Sequence, residues 1–353
     1  MARAKTFLRN CFSSPVNAVI SLLILTWLAT TIPSFLNWSV FSAVWMGSSA
    51  RDCANIDAAC WLLVKLRYRQ ILFGGYPVDE VWRILLCFIL GAAAFILISL
   101  PVVRNKVSAS IAFLIVFPIV AGILLRGGLF GLEPVPTSHW GGLMLTLVVA
   151  FWTIASTLPL GLGLALARRS KLPVVSTLAV VYIDLVRGLP LVGVLFLAIV
   201  LFPLFMPPGV EINALVRTLI AFSLFNAAIM AEVIRGGIQS VPKGQYEAAT
   251  SLGLSHWQAM RLCIIPPALK AALPGIVNLS IAIMKETTIV LMAGMYDFLG
   301  VLQSSLIDPE WLIGDQIRQT AYFFAGLVFF AICFSLSRYS LHIERKLSPQ
   351  ASR

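Results

Sequence analysis

Residues 240–267 read SVPKGQYEAATSLGLSHWQAMRLCIIPP. The segment is too polar to lie in hydrocarbon, yet apolar runs of membrane-crossing length, about 20 residues, stand on both sides of it. Its internal pattern is that of two short helices. Gly244–Leu252 is the first, led in by Pro242 and carrying Glu247 with Ala248 and Ala249 behind it. Gly253 stands where a helix takes a left-handed residue after its last turn, a conformation that carries no Cβ penalty in glycine. Ser255, with Gln258 three residues on, has capping-box spacing and starts the second helix. Pro266 and Pro267 are expected to close it. Two capped helices between two membrane spans read as a docking device.

Outward from this segment the chain is dominated by apolar residues. It has 353 residues, 59% hydrophobic and 12% charged, with a mean hydropathy of +0.92. Soluble domains carry roughly 25% charged residues, so this is an integral membrane protein in contact with lipid. Its apolar runs are continuous rather than alternating, which excludes a barrel and leaves helices as the only way to satisfy the backbone. The expected fold class is all-α, a polytopic membrane protein of about eight transmembrane helices. The net charge of +11 sits in loops with no contiguous patch, so no nucleic-acid partner is expected.

Taken in order, Val16–Leu36 is too long for a signal-peptide core and reads as a retained first span. A long mixed loop runs from Asn37 to about Val81. In it Ala58–Phe73 is amphipathic, and two readings stand: a helix on the membrane surface or an ordinary loop helix. Cys53 and Cys60 share this loop, as a disulfide or as two free thiols. Trp82–Leu100 and Ser110–Leu125 are the second and third spans. The Gly/Pro-rich run RGGLFGLEPVPT, residues 126–137, marks a boundary between a three-span N-terminal unit, residues 1–137, and the rest of the chain.

The fourth span covers about Trp140–Ala167. Leu172–Met206 is too long for one span and is broken at Asp184, Arg187, Gly188 and Pro190, giving an interfacial helix to about Val186 and a fifth span from Gly188. Leu215–Ile234, with Glu232 and Arg235 spaced i,i+3 at its end, is the sixth span. Leu273–Met295 is the seventh and Arg318–Leu341 the eighth, with a tail over residues 343–353. Most of the 26 basic residues alternate onto one side: Arg3, Lys5 and Arg9; Arg104 and Lys106; Arg168, Arg169, Lys171 and Arg187; Arg235, Lys243, Arg261 and Lys270; Arg338, Arg345, Lys346 and Arg353. The positive-inside rule then places both termini, and residues 240–267, in the cytoplasm.

Catalytic, cofactor and metal sites are not expected. No G-x-x-x-x-G-K-[ST] loop is present, so the chain binds no nucleotide in the P-loop manner. His139, His256 and His342 have no partners at metal-ligand spacing, and there is no G-x-S-x-G elbow. The informative polar residues are those at membrane depth. Lys285 and Glu286, followed by Thr287 and Thr288, are placed about a dozen residues into the seventh span. A charge there costs roughly 2.5–3.5 kcal/mol, so the run either lines a translocation path or latches helices together, unless it snorkels to an interface. Asn226, in the sixth span, is a path residue or an amide that bonds helix to helix.

Four stretches, in order, carry a resemblance: YIDLVRGLP (182–190), AEVIRGG (231–237), VPKGQYEAATSLG (241–253) and LPGIVNLSIAIMKETT (273–288). Together they resemble the permease subunits of ABC importers, in the polar amino acid (histidine/glutamine-type) branch, over residues 138–342. The three-span extension resembles the AapM-type permeases of general L-amino acid uptake systems. One departure is that Lys285–Thr288 stands where the family more often shows a Lys-x-Thr-Ser run.

The resemblance implies a five-span core that moves L-amino acids across the bacterial inner membrane. The implied partners are a second homologous permease subunit, a cytoplasmic ABC ATPase dimer and a periplasmic amino-acid-binding protein. ATP and magnesium would then sit on the ATPase, with no cofactor on this chain. Residues 240–267 correspond to the EAA loop, with Gly244, Glu247, Ala248, Ala249 and Gly253 as ATPase-coupling residues. Glu247 would be the polar contact, the alanines would permit close approach, and Gly253 would make the turn. The runner-up is an ion-coupled secondary transporter using Lys285 and Glu286, against which no inverted repeat is visible.

Overall fold

The computed structural model describes residues 11–100, 103, 105–312 and 314–347. Arg3, Lys5, Arg9, Arg104 and Arg353, used above for orientation, lie outside the described residues. The described chain is helical, with isolated β-bridges and no strand ladder. Its helices are α1 (Pro15–Leu36), α2 (Leu62–Phe73), α3 (Val81–Ser99), α4 (Lys106–Arg126), α5 (Gly142–Arg168), α6 (Pro173–Gly188) and α7 (Leu191–Phe196). They continue with α8 (Ala214–Gln239), α9 (Lys243–Ser251), α10 (His256–Ala259), α11 (Ile265–Glu286), α12 (Phe298–Leu306) and α13 (Asp315–Leu347). Seven helices are long and apolar enough to cross a membrane, and the bent pair α6–α7 makes an eighth crossing if counted as one span.

The described chain divides into two compact units. The first takes the residues up to Tyr68 together with Ser305–Phe324. No residue of α1 is buried, which leaves its apolar surface to lipid. The loop after it is stitched by a Cys53–Cys60 disulfide with Cα atoms 5.9 Å apart, within the usual range. The amide of Cys60 donates to Thr320 Oγ1 at 2.9 Å, and Gln316 Nε2 donates to the carbonyl of Cys53 at 2.9 Å. Trp45 stacks on Trp61, and Phe323 meets Phe35 and Trp61 edge-on. Of the two readings of residues 58–73, the chain takes the second. Leu62, Leu63 and Ile71 of α2 are buried in protein, so its strongest apolar positions do not face a membrane surface.

The second unit, Arg69–Ser304 with the remainder of α13, is built on α8. Fifteen of its positions, from Leu215 to Ile238, are buried, because α5 and α11 both pack along it. Small residues permit this approach, as expected where van der Waals contact rather than water drives helix association. A Cβ on Gly161 of α5 would lie 2.5 Å from Met230 Cγ, and one on Gly237 of α8 would collide with the carbonyl oxygen of Ala268 in α11. The break expected near Gly188 is present. After α6 the chain bends by 105° and continues through Leu191–Phe205, with Pro190 at the helix N-cap.

One expectation is overturned. Pro266 and Pro267 do not close the second loop helix, which runs on through a π-turn at Met260–Ile264 into α11. A π-turn already interrupts the i→i−4 ladder, so two prolines in the next turn remove little further bonding. The seventh membrane-crossing helix therefore reaches back to His256 rather than starting at Leu273, and extends over His256–Ala293.

Gly237→Ala is expected to overpack the α8–α11 contact by about 1–3 kcal/mol and lower the thermal midpoint of the purified protein. Gly236→Ala is the control, since a Cβ there meets nothing within 4 Å. Equal midpoints for both variants would refute the close-contact account.

Candidate functional site

The 240–267 segment folds as two helices fixed to the spans beside it. α9 ends in a Schellman motif. The amide of Leu254 donates to the carbonyl of Ala249 at 3.1 Å, and that of Gly253 donates to Thr250 at 2.9 Å. Gly253 has φ of +72°, the left-handed geometry this motif needs. Ser255 then caps α10 reciprocally: its amide donates to Gln258 Oε1 at 2.9 Å while its hydroxyl accepts from the Gln258 amide at 3.4 Å. Both features were legible in the sequence.

What holds the pair rigid was not. Val241, Met260 and Ile264 are buried in one cluster with Met230, Ile234 and Ile238 of α8 and Ala268 of α11. The loop is thus a continuation of the membrane core. The two alanines separate: Ala248 is exposed, whereas Ala249 is buried within this chain. Ala249 therefore allows the chain's own elements to approach, and Ala248 faces outward with Gly244 and Glu247, which are exposed. Leu252 and Trp257, 78% and 71% exposed, share this polar stretch. Large apolar side chains left open there are the mark of an interaction surface.

A charged network ties three helix ends together beside the loop. Glu232 of α8 accepts from Arg235 Nε at 3.0 Å and Nη2 at 2.8 Å. It also pairs with Arg168 at the end of α5 at 2.7 Å and with Arg187 of α6 at 3.7 Å. Arg168 reaches Asp184 of α6 at 3.4 Å. Arg169 lies over the Tyr246 ring of α9 at 5.8 Å. Only the Glu232–Arg235 pair could be read from spacing; the others join residues distant in sequence. A half-buried carboxylate held by several guanidinium groups fixes orientation more than it adds stability.

The residues expected at membrane depth are placed differently from one another. Asn226 is fully buried. Its Nδ2 donates to the Phe222 carbonyl at 3.1 Å, and its Oδ1 has no partner. Lys285 and Glu286 stand at the C-terminal end of α11, not in mid-helix, where the chain tightens into a 3₁₀ segment at Thr287–Ala293. Lys285 is exposed, Glu286 half-buried and Thr287 fully buried, its hydroxyl donating to the Met284 carbonyl at 3.0 Å. Thr288 donates to the Lys285 carbonyl at 3.2 Å. Among the described residues no hydrogen bond or ion pair joins Asn226 to the 285–288 run, and no group of three or more His, Cys, Asp or Glu could hold a metal.

A second polar centre, at the opposite end of α5 and just past α11, went unread in the sequence. Asp297 is fully buried. Its Oδ1 accepts from the Gly300 amide at 2.9 Å as the cap of α12, and its Oδ2 lies 3.4 Å from Thr146 Oγ1. Thr146 Oγ1 in turn accepts from the Phe298 amide at 3.0 Å. Burial pushes the carboxyl up to about 6, against the opposing pull of bonds from Gly300, Leu299 and Thr146. The only local signal was an aspartate three residues before a glycine.

Known proteins share much of this sequence. A family model described as the binding-protein-dependent transport system inner membrane component matches residues 157–349. The chain is 40% identical to the inner membrane amino-acid ABC transporter permease protein YhdY of Escherichia coli (strain K12), over 98% of this chain and 94% of that protein. It is 36% identical to the glutamate/glutamine/aspartate/asparagine transport system permease protein BztC of Rhodobacter capsulatus, over 96% of this chain and 92% of that protein. A crystal structure of an amino acid ABC transporter with histidines is 32% identical with a TM-score of 0.50, covering 58% of this chain and 92% of its own.

Asp297 makes stability depend on pH with a defined sign. Its carboxyl titrates at about 6 in the folded chain against an ordinary 3.8, so the folded state binds the proton more readily. The stability gained by holding that proton is full below about pH 4 and lost as pH rises through about 6. Asp297→Asn keeps the shape and cannot ionise, so its stability relative to wild type should rise over that window by up to about 3 kcal/mol. Thermal midpoints measured from pH 4 to 7 test this; parallel curves would contradict it.

Proposed function

The chain belongs to the family of binding-protein-dependent transport system inner membrane components, and from that premise we propose how it works and on what. It is the membrane permease subunit of an ABC importer, a transport subunit rather than an enzyme, residing in the inner membrane with ATPase and permease partners. The whole-length match to YhdY and the likeness to a solved ABC transporter favour this over ion-coupled transport. The proposed cargo is L-amino acids, supported by the amino-acid transport named for YhdY and BztC. A periplasmic amino-acid-binding protein delivers it, and ATP with magnesium acts on the partner ATPase dimer.

The proposed coupling element is the helix pair of the 240–267 loop, in the cytoplasm with both termini. The observation that carries this reading is the combination of an outward-facing surface (Gly244, Glu247, Ala248, Leu252, Trp257) with a buried root shared with α8 and α11. A docked ATPase that moves such a surface moves the spans with it. Ala249 and Gly253 shape the pair, and the network around Glu232 passes the motion to α5 and α6. Asn226 and Lys285–Thr288 are proposed as the translocation path. Residues 1–137 are an N-terminal extension on a permease core of 138–342, in line with the shorter solved relative matching 58% of the chain. The second permease subunit is a homologue of this one.

Gly253 supplies the test. A Cβ there meets nothing within 4 Å, so a substitution acts through the positive φ alone. Gly253→Val should cut ATP-driven uptake by reconstituted complex roughly five- to thirtyfold, the left-handed penalty being about 1–2 kcal/mol, while insertion and basal ATP hydrolysis persist. Gly253→Asn, which tolerates that geometry, should retain more uptake than the valine variant. Normal coupled uptake by Gly253→Val would sink the coupling role.

A further inference from the structure

A cavity of about 610 Å³ opens between α3, α4, α5 and α8, a size usual for ligand sites. Its wall is phenylalanine-rich. Phe113, Phe117 and Phe151 hold one another with ring centroids 5.0–5.7 Å apart, and Phe88 and Phe95 join them. Room is left by Gly91, Ala92, Ala121 and Gly122, and a Cβ on Gly122 would meet nothing within 4 Å.

Arg126, Thr137, Trp140 and Asn213 line one end, and further along the wall the polar atoms are those of Cys87 and Trp152. Thr137 and Asn213 satisfy each other, Asn213 Nδ2 donating to Thr137 Oγ1 at 2.7 Å. Trp140 is different. It is 6% exposed, and its indole N–H is buried without an acceptor. Buried to that degree, the N–H closes the wall and offers the chamber no donor. Arg126 is exposed at the same rim, and none of the ion pairs among the described residues involves it.

Depth identifies the occupant. Arg126 ends α4, while Trp140 and Asn213 immediately precede α5 and α8, so the rim lies at the level of the span ends. From Ile84 to Phe95 along α3 the cavity runs roughly 16 Å. That is about half of a hydrocarbon core of about 30 Å. The chamber is therefore one leaflet deep, too short for a crossing helix of another protein and matched to an acyl chain. A cation at the mouth suits a phosphodiester.

We propose that this chamber is a phospholipid site: one acyl chain fills the apolar part and the phosphodiester sits on Arg126. The lipid is a wedge between the N-terminal pair α3–α4 and the permease core.

The test is native mass spectrometry of the intact importer complex after detergent exchange, with phosphatidylglycerol and phosphatidylethanolamine titrated back and glycerol phosphate as the chainless control. Wild type should retain phospholipid and rebind both lipids but not glycerol phosphate. Gly122→Phe, which fills the chamber, should lose it. Arg126→Gln leaves the chamber intact and removes the head-group contact, and should bind about tenfold more weakly. Retention by Arg126→Gln equal to that of wild type would overturn the proposal, even if Gly122→Phe fails to assemble. So would a photo-crosslinker at Phe113 that captures a protein subunit instead of lipid.

Discussion

The close approach of α8 to α5 and α11 is the constraint on which the rest depends. Lipid does not drive apolar helices together as water does, so contact must come from shape. At Gly237 the backbone of α8 lies so near the Ala268 carbonyl that a single methyl would collide with it. Because the spans meet this tightly, the side chains at their loop ends, Ile234, Ile238, Met260 and Ile264, form one buried cluster rather than separate helix surfaces. A polar loop rooted in that cluster behaves as a rigid part of the membrane domain.

Charge completes what packing begins. Glu232 collects guanidinium groups from α5, α6 and its own helix, so the two motif stretches at 182–190 and 231–237 meet in space. α6 is turned by 105° from the segment after it, and this network anchors its end. α9 and α10 meet the spans in two places, by apolar contact with α8 and α11 and where Arg169, next to Arg168 of the network, lies over Tyr246.

Local features were legible in the sequence because their physics is local. Gly253 turns left-handed, Ser255 and Gln258 cap each other, and the chain breaks between Gly188 and Leu191, all from residues within a few positions. The passage of the helix through Pro266 and Pro267 was not legible, because a π-turn is set by how the turn packs and not by the prolines themselves. Ala248 and Ala249 look alike in sequence and differ in burial, since only the fold decides which one faces inward. The Arg168–Glu232 pair, the Asp297–Thr146 contact and the orphan N–H of Trp140 depend on residues brought together across the chain. Lys285 and Glu286 read as about a dozen residues into their helix because its start at His256 could not be seen.

The most direct test of the account is to reconstitute the complex in vesicles and ask what drives uptake of a labelled polar amino acid. The account predicts uptake only when ATP and the ATPase subunit are on the face that carries residues 240–267, with the binding protein on the other. Uptake driven by a proton or sodium gradient in vesicles that lack the ATPase would contradict it.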